Sequence, residues 1–278
     1  MPTQTKKNMR FALVYNKRTE PKLGLKGICP ACSQIVIARC GEQRIHHWAH
    51  KSKNICIGFR EKETEWHRAW KNQFDDEWQE VRKQNTLTGE IHIVDICTDT
   101  GYVIEFQHSF INPTERKSRE NFNENMIWVV DGNRLKTDYD RFLKGKAGFK
   151  SFESKGIYQI EYPEKCFPKN WINSKVPVIF DFKGNEIKDI QNDLYCLFPG
   201  RTEEKAVVAE LPRKSFIKAV IDGNWNQKII NFTTDLDCKN QMWENNKAIE
   251  QKKVDDMINN IPDFPINLDQ VIKRNKLD

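Results

Sequence analysis

The chain lacks any apolar run that is long enough to cross a membrane. Its first residues, MPTQTKKNMR, lack the apolar block of a signal peptide, and the chain contains no internal repeat and no low-complexity tract. We therefore expect a soluble protein of the cytoplasm that has no membrane partner.

Neither sign of charge is in large excess, because 45 Lys and Arg residues stand against 39 Asp and Glu residues, which leaves a net charge of +6. A charge of this size is compatible with a polyanionic partner but does not require one. The eight cysteines are expected to be free thiols or metal ligands, because the cytoplasm disfavours disulfides.

The distribution of residue types divides the chain into three parts. Cysteine and histidine are concentrated between residues 29 and 56, among short strand patterns, which predicts a zinc-binding β module over residues 1–58. The next part reads helix, three strands, helix, strand, and predicts an α/β core over residues 59–149. Residues 150–278 predict a β-rich accessory region with a terminal helix near 240–260. That region could bind substrate, a partner or another copy of the chain.

The crowded segment contains a pattern of metal ligands. The turn Cys29-Pro-Ala-Cys32 lets two thiolates bind one ion, and His47 and His50 follow in the array C-x2-C-x14-H-x2-H. Two thiolates and two imidazoles suit structural Zn²⁺. The alternative is an ordinary turn with surface histidines. Other residues close enough to replace one ligand are Cys56, Cys40 and His46.

A second pattern places carboxylates in two apolar segments. Asp95 lies in IHIVDI, and Glu105 and Gln107 lie in YVIEFQ, with the turn-like TDTG between them. Ionised carboxylates are costly to bury unless they are paired or bind a metal, so we predict a catalytic Mg²⁺ or Mn²⁺ site on a hairpin. The spacing D-x9-E-x-Q is close to the D…E-x-K signature of metal-dependent nucleases. Gln107 can orient water there, but it brings no positive charge.

The segment before the hairpin predicts a helix. Glu63, His67 and Lys71 recur every four residues, and an aromatic stripe of Trp66, Trp70 and Phe74 follows the same interval. We predict that Glu63 supplies a third oxygen to the metal. His67 would orient substrate or water, and Lys71 would face a phosphate or restore the charge that Gln107 lacks. The alternative is a solvated ladder of salt bridges.

The helix predicted after the hairpin begins with basic residues. Arg116 and Arg119, together with Lys117, could bind the backbone of a nucleic acid and make its affinity depend on salt. A solvated charged face is the alternative. Arg119 is favoured over Arg116, because it lies on the same helix face as Phe122.

Taken together, these motifs resemble the competence protein CoiA-like nuclease family, a branch of the PD-(D/E)XK superfamily. The family's C-x2-C and H-F-A-H-like elements are matched by Cys29-Pro-Ala-Cys32 and His47-Trp-Ala-His50. Its helical E-S-x-x-H-x-x-x-K pattern is matched by Glu63, His67 and Lys71. Its strand aspartate and E-x-Q-x-S element are matched by Asp95 and Glu105-Phe-Gln107-His-Ser109. Its arginine-bearing helix and I-W-V strand are matched by Arg116 or Arg119 and Ile127-Trp128-Val129.

The resemblance covers residues 20–132 and implies a restriction-endonuclease-like αβββαβ core that hydrolyses phosphodiester bonds. DNA is the expected substrate, in DNA processing, recombination or defence. One departure is that the region of His92 replaces the basic residue often found before the aspartate. A catalytically inactive nucleic-acid-binding factor with the same fold is the alternative, and Gln107 in place of the signature lysine keeps it open. An HNH-type endonuclease with His46 or His47 as base is disfavoured, because the sequence lacks a catalytic histidine and asparagine in a fixed relation to the knuckles. A zinc-ribbon interaction protein would leave the carboxylate hairpin unexplained.

Overall fold

The computed structural model describes residues 9–51, 56, 63–123, 125–182, 193–201 and 203–259. Two β-sheets and six α-helices form a mixed α/β structure over these residues. No helix among them combines the length and the apolar character that are needed to span a bilayer.

The first sheet is small and antiparallel. Its five strands follow the order β2-β1-β3-β4-β5. The strands are β1 (Ala12–Val14), β2 (Lys17–Thr19), β3 (Lys26–Ile28), β4 (Ile35–Arg39) and β5 (His47–His50). Few apolar side chains are buried beneath it, namely Met9, Ala12, Cys29, Val36, Trp48 and Cys56. A core of this size supplies little stability by itself, so a metal ion would be a useful addition.

The second sheet has nine strands in the order β10-β11-β14-β13-β12-β9-β8-β7-β6. Strands β8, β9 and β12 run parallel to one another, and the other pairs are antiparallel. The strands are β6 (Gln79–Gln84), β7 (Ile91–Cys97), β8 (Val103–Gln107), β9 (Met126–Asp131), β10 (Lys150–Phe152), β11 (Ser154–Ile160), β12 (Val178–Asp181), β13 (Asp193–Leu197) and β14 (Ala206–Pro212).

The helices are α1 (Glu65–Lys71), α2 (Pro113–Asn123), α3 (Asp138–Lys146), α4 (Lys169–Ile172), α5 (Arg213–Ile221) and α6 (Trp225–Asn259). Short 3-10 helices lie at Asp76–Trp78 and Pro163–Lys165. Alternate residues of the central strands are buried on opposite faces of the large sheet. On one face Phe106 packs with Trp66, Trp70 and Phe216 of helices α1 and α5. On the other face Trp128 belongs to a separate cluster.

The order of elements from α1 to β9 is helix, three strands, helix and strand, as expected from the sequence. The strand patterns predicted beyond residue 150 are also present as β11 to β14. These later strands join the same sheet, because β12 pairs in parallel with β9. The predicted division at residue 150 therefore falls within one continuous sheet.

The pattern FREKETEWHRAWKNQFDDEW predicts a helix from about residue 59 to residue 78, but helix α1 covers only Glu65–Lys71. The Thr64 hydroxyl accepts the His67 N–H at 3.3 Å, and the His67 ring accepts the Thr64 N–H at 3.3 Å. This capping box starts the helix after Thr64, so Glu63 precedes the helix instead of sharing its stripe. Residues 59–62 lie outside the described residues.

Candidate functional sites

A cysteine–histidine cluster lies at one side of the small sheet. The ligand atoms of Cys29, Cys32, His50 and Cys56 all lie within 4.8 Å of one another. The Cys29 and Cys56 sulphurs are 3.8 Å apart, and the Cys32 sulphur is 3.2 Å from His50 Nε2. Among the described residues, this is the only group of three or more Cys, His, Asp or Glu side chains found at such spacing. Three thiols and one imidazole could hold a zinc ion.

The turn between β3 and β4 carries two of the four residues, Cys29 and Cys32. Ser33 adopts a left-handed backbone conformation with φ of 57°, and its N–H donates to the Cys29 carbonyl at 2.9 Å. The hydrogen bond with Cys56, followed by burial, raises the pKa of the Cys29 thiol, while the N–H groups of Cys32 and Ala31 lower it. A bound Zn²⁺ ion would displace the thiol protons, because thiolates are its ligands.

His47 does not belong to the cluster, which corrects the predicted ligand set. His47 and His50 are three residues apart in strand β5, and side chains at that separation point to opposite faces. His47 Nδ1 instead lies 2.8 Å from the Ile45 carbonyl. Cys56, named as an alternative ligand, occupies the fourth position, and neither Cys40 nor His46 is part of the group.

A second cluster forms where three acidic residues share one row of the large sheet. Strands β6 and β7 pair on both sides of the position where Glu80 stands opposite Asp95. The pairing of β7 with β8 ends at Ile96 and Ile104, next to Asp95 and Glu105. The carboxyl groups of Asp95 and Glu105 interact directly, through their charges and a side-chain hydrogen bond. Glu80 was not among the site residues predicted from the sequence.

The Lys71 ammonium lies among these acids. Its Nζ atom is 3.1 Å from Glu80 Oε1, 3.1 Å from Asp95 Oδ1 and 3.4 Å from Glu63 Oε1. The side chain is only 5% exposed. Burial, the largest influence, lowers the pKa of Lys71, but the carboxylates of Asp95, Glu80 and Glu63 outweigh burial and raise it above its usual value. Lys71 therefore brings a positive charge from the end of α1 to the acidic hairpin.

The backbone of Phe106 is held at both its N–H and its carbonyl. Its N–H donates to Asp95 Oδ2 at 3.0 Å, and its carbonyl lies 3.2 Å from His67 Nε2. Because a carbonyl can only accept, Nε2 carries a proton, and Nδ1 is left to accept from Thr64. His67 thus fixes the strand between Glu105 and Gln107. This contact explains why the His67 side chain is buried.

Glu105 is buried beside Asp95. Burial raises the pKa of Glu105 most strongly, Arg119 lowers it, and the charge of Asp95 raises it again, so that it reaches about 8. The guanidinium of Arg119 lies 3.6 Å from Glu105 Oε2. Two adjacent carboxylates of this kind fit a divalent cation, because Mg²⁺ commonly uses one or two carboxylates and keeps its other positions for water and phosphate. The Asp95 side chain is 20% exposed, which gives the pair access to solvent.

Glu63 does not join Asp95 and Glu105 in a set of three ligands, so its predicted role as a metal ligand is not supported. Its carboxylate is bound by Arg68 through Nε at 3.1 Å and Nη2 at 2.5 Å. Burial raises the pKa of Glu63, but the charges of Lys71 and Arg68 outweigh burial and lower it to about 2. Glu63 is therefore a permanent anion that holds two cations.

Gln107 is 3% exposed, and its Nε2 donates to the Ser109 carbonyl at 3.1 Å. Its Oε1 is buried and has no hydrogen-bond partner among the described residues. Buried polar atoms are rarely left unpaired, and this acceptor fits the predicted role of orienting a water molecule.

The two predicted nucleic-acid arginines occupy different environments. Arg116 is 2% exposed, forms an ion pair with Glu120 and donates to the Asn173 carbonyl at 3.1 Å, so a nucleic-acid contact by Arg116 is not supported. Arg119 is 8% exposed and is also bound by Glu115 at 2.8 Å, in addition to its contact with Glu105. Arg119 therefore belongs to the acidic cluster itself.

Two further acids stand at the ends of the parallel strands. Asp131 lies at the end of β9, and its Oδ2 atom is 2.6 Å from Nδ1 of His108. Asp181, at the end of β12, accepts the indole N–H groups of Trp66 and Trp70, both at 3.1 Å. Neither aspartate was predicted as a site residue. The sequence signal for both is an aspartate at the end of an apolar run, MIWVVD or VIFD, because polar residues at the carboxyl ends of parallel strands often line functional sites.

Comparison with protein families gives one match. Residues 21–58 match the model for the N-terminal domain of competence protein CoiA. This segment contains all four members of the cysteine–histidine cluster. No curated protein and no solved structure matches the chain. The family match supports the resemblance over residues 21–58 and does not extend to the acidic cluster.

Proposed function

We propose that the protein is a metal-dependent nuclease of the PD-(D/E)XK type that hydrolyses phosphodiester bonds of DNA. The observation that carries this proposal is the direct contact between the carboxyl groups of Asp95 and Glu105, next to the buried ammonium of Lys71. The order α1, β6, β7, β8, α2 and β9 supports a restriction-endonuclease-like core. The match of residues 21–58 supports a CoiA-like origin.

Asp95 and Glu105 would hold Mg²⁺ or Mn²⁺. The bound cation would activate water and neutralise the charge that develops on the phosphoryl group in the transition state. Within the protein, Asp95 also accepts the Phe106 N–H, and His67 donates to the Phe106 carbonyl. These contacts hold the backbone of β8 at the position where both carboxylates must stay aligned.

Lys71 and Gln107 would divide the work of the lysine in the D…E-x-K signature. Lys71 places a positive charge 3.1 Å from Asp95, where it can attract a phosphate oxygen. Gln107 contributes a buried acceptor that can orient the attacking water. Neither residue alone provides both a charge and a hydrogen-bond acceptor.

The cysteine–histidine cluster would hold a structural zinc ion. Its four ligands come from the turn between β3 and β4, from the end of β5 and from Cys56. With four protein ligands, no position remains open for substrate, which is typical of structural sites and not of catalytic sites.

Cleavage assays test the proposal. Wild-type protein, Asp95→Asn and Glu105→Gln are incubated with linear, circular and single-stranded DNA in Mg²⁺, Mn²⁺ or chelator. We expect cleavage by the wild type in either metal, and no cleavage by the two variants or in chelator. Asp140→Asn, a matched change on the exposed face of α3, should cut like the wild type. Cutting that persists in both site variants would contradict the proposed site.

A second candidate is a nucleic-acid-binding factor that has lost catalysis. The contacts of Lys71 with three carboxylates favour it, because an internal cation already compensates the acids. This candidate predicts salt-dependent DNA binding without cleavage in any metal. The same assays, combined with a binding measurement, separate the two functions.

A further inference from the structure

Glu80 has an unusual backbone and an unusual environment for a strand residue. It adopts a φ of 45°, in the left-handed region that side-chain-bearing residues rarely occupy, and it is 7% exposed. Strain of this kind persists only where the surroundings impose it, and it is often found next to functional sites. The contacts of the Glu80 carboxylate are therefore expected to hold its backbone in this conformation.

The carboxylate of Glu80 accepts hydrogen bonds from the backbone of the N-terminal module, which we define as residues 9–51 with Cys56. The Arg10 N–H lies 3.0 Å from both carboxylate oxygens, and the Phe11 N–H lies 3.1 Å from Oε2. Hydrogen bonds to a charged group are stronger than those between neutral groups. The remaining strong contact of Glu80 is its ion pair with Lys71.

The donors of these hydrogen bonds are tied to the cysteine–histidine cluster. Met9 precedes them and exchanges backbone hydrogen bonds with Trp48 of β5, at 3.2 and 2.8 Å. The Met9 sulphur also lies 3.7 Å from the sulphur of Cys29. Met9 therefore contacts two parts of the cluster, Cys29 and the strand that carries His50, and the residues that bind Glu80 follow it directly in the chain.

The Arg10 side chain fixes the same corner. Its Nη1 donates to Gln79 at 2.7 Å and to Asn72 at 2.6 Å, so that it joins the start of β6 to the end of α1. A second link exists at Arg68, which binds Glu63 and lies 3.4 Å from the His46 carbonyl. Both glutamates that hold Lys71 are thus themselves held by groups that contact the N-terminal module.

We propose that Glu80 is a positioning residue through which the zinc-loaded N-terminal module holds Lys71 beside Asp95. The inference rests on the proposed nuclease function for its catalytic consequence. Lysine has a long flexible side chain, and an ammonium that is held by only one acid can adopt several positions. Three carboxylates fix it, and the module determines where one of these carboxylates stands.

A double-mutant cycle tests the catalytic part. Glu80→Gln should lower kcat by between about ten-fold and a hundred-fold, with little change in KM for DNA, because misplacement of a catalytic group has effects of this size. In a Lys71→Met background, Glu80→Gln should cause no further loss. A purely structural role for Glu80 would lower the activity of both backgrounds equally, and that result would overturn the proposal. Glu77→Gln, an exposed matched change, should leave kcat unaltered.

A second measurement does not depend on activity. Full-length zinc-loaded protein is pulsed with acetic anhydride, and labelling of each lysine is read by peptide mass spectrometry. Lys71 should react slowly in the wild type and several-fold faster in Glu80→Gln and after zinc is chelated. Phe11→Pro, which removes one donor to Glu80 without changing a zinc ligand, should also increase the labelling. Lys146, paired with Glu210, should not change.

The labelling result separates the two proposals. If the protein cleaves DNA in no metal, but removal of zinc still increases the labelling of Lys71, the proposed nuclease function is wrong. The coupling between the N-terminal module and Lys71 is then still supported. If the labelling rate of Lys71 changes neither when zinc is removed nor in Glu80→Gln, the coupling is overturned. Alkylation of the fully buried Cys196 in the same samples would show general unfolding and would overturn it as well.

Discussion

The two clusters differ in how their charges are balanced. In the cysteine–histidine cluster, the ligand atoms of three thiols and one imidazole all lie within 4.8 Å of one another. In the acidic cluster, Lys71 and Arg119 contact the carboxylates, which are therefore largely compensated without a metal. We therefore expect a bound ion to stabilise the first cluster, whereas the second should fold without a metal and would bind one only for the proposed chemistry.

The largest effect is expected at the acidic cluster. Asp95→Asn and Glu105→Gln should each lower kcat by about a thousand-fold or more, because metal stabilisation of the transition state contributes several kcal/mol. Neither change should lower the unfolding free energy much, since each replaces one of two adjacent carboxyl groups by an amide of the same shape. Steady-state cleavage kinetics and chemical denaturation measure both quantities. A large loss of stability with little loss of kcat would reverse the comparison.

The next largest effect is expected at the other cluster. Cys56→Ser should weaken zinc binding by more than about a hundred-fold, which exceeds the usual effect of losing an outer-shell partner, and it should lower the melting temperature. Cys40→Ser provides the matched control, because Cys40 lies in the same module but outside the group. Competition with a chromophoric chelator gives the zinc affinity. Equal effects of the two substitutions would show that Cys56 is not a ligand.

A smaller effect concerns pH. The pKa of Glu105 is raised from 4.5 to about 8, chiefly by burial and also by Asp95. In metal-free protein this group therefore contributes stability that is fully present below pH 4.5 and is lost as the pH rises through 8. Because Mg²⁺ must displace the proton, its affinity should rise by up to about ten-fold per pH unit below pH 8. Calorimetric titration measures this slope, and Glu105→Gln should remove most of it.

The smallest effect is expected from His47→Ala. Its ring contacts the Ile45 carbonyl instead of the cluster, so zinc content should remain at one ion per chain. His50→Ala is the matched comparison, and it should lose zinc. Elemental analysis of the purified variants separates the two histidines. Loss of zinc in both would restore the ligand set first expected from the sequence.

The sequence predicted those features that depend on local pattern. The runs around Asp95, Glu105 and Trp128 became strands in the expected order, because continuous apolar residues mark buried strands. The convergence of the two carboxylates followed from the hairpin. His47 was assigned wrongly because ligand spacing was read without strand alternation, which directs residues three apart to opposite faces.

Other features depend on contacts between distant segments. Glu80 lies in a polar run, QEVRKQ, that suggests an exposed edge strand, and only the Arg10 and Phe11 backbone explains its burial. Glu63 lies outside helix α1 because Thr64 is the N-cap residue. The four-residue spacing of Glu63, His67 and Lys71 does not show where the helix begins. Asp181 is sequence-distant from the α1 tryptophans whose indoles it binds, so no local pattern could pair them.

The most direct measurement is a crystal soaked in Mn²⁺ with diffraction recorded at the manganese absorption edge. We predict an anomalous peak in contact with the carboxylates of both Asp95 and Glu105, and no such peak in Glu105→Gln crystals. Manganese that binds elsewhere, with the two carboxylates left in contact only with Lys71 and Arg119, would contradict the metal site on which the proposed function depends.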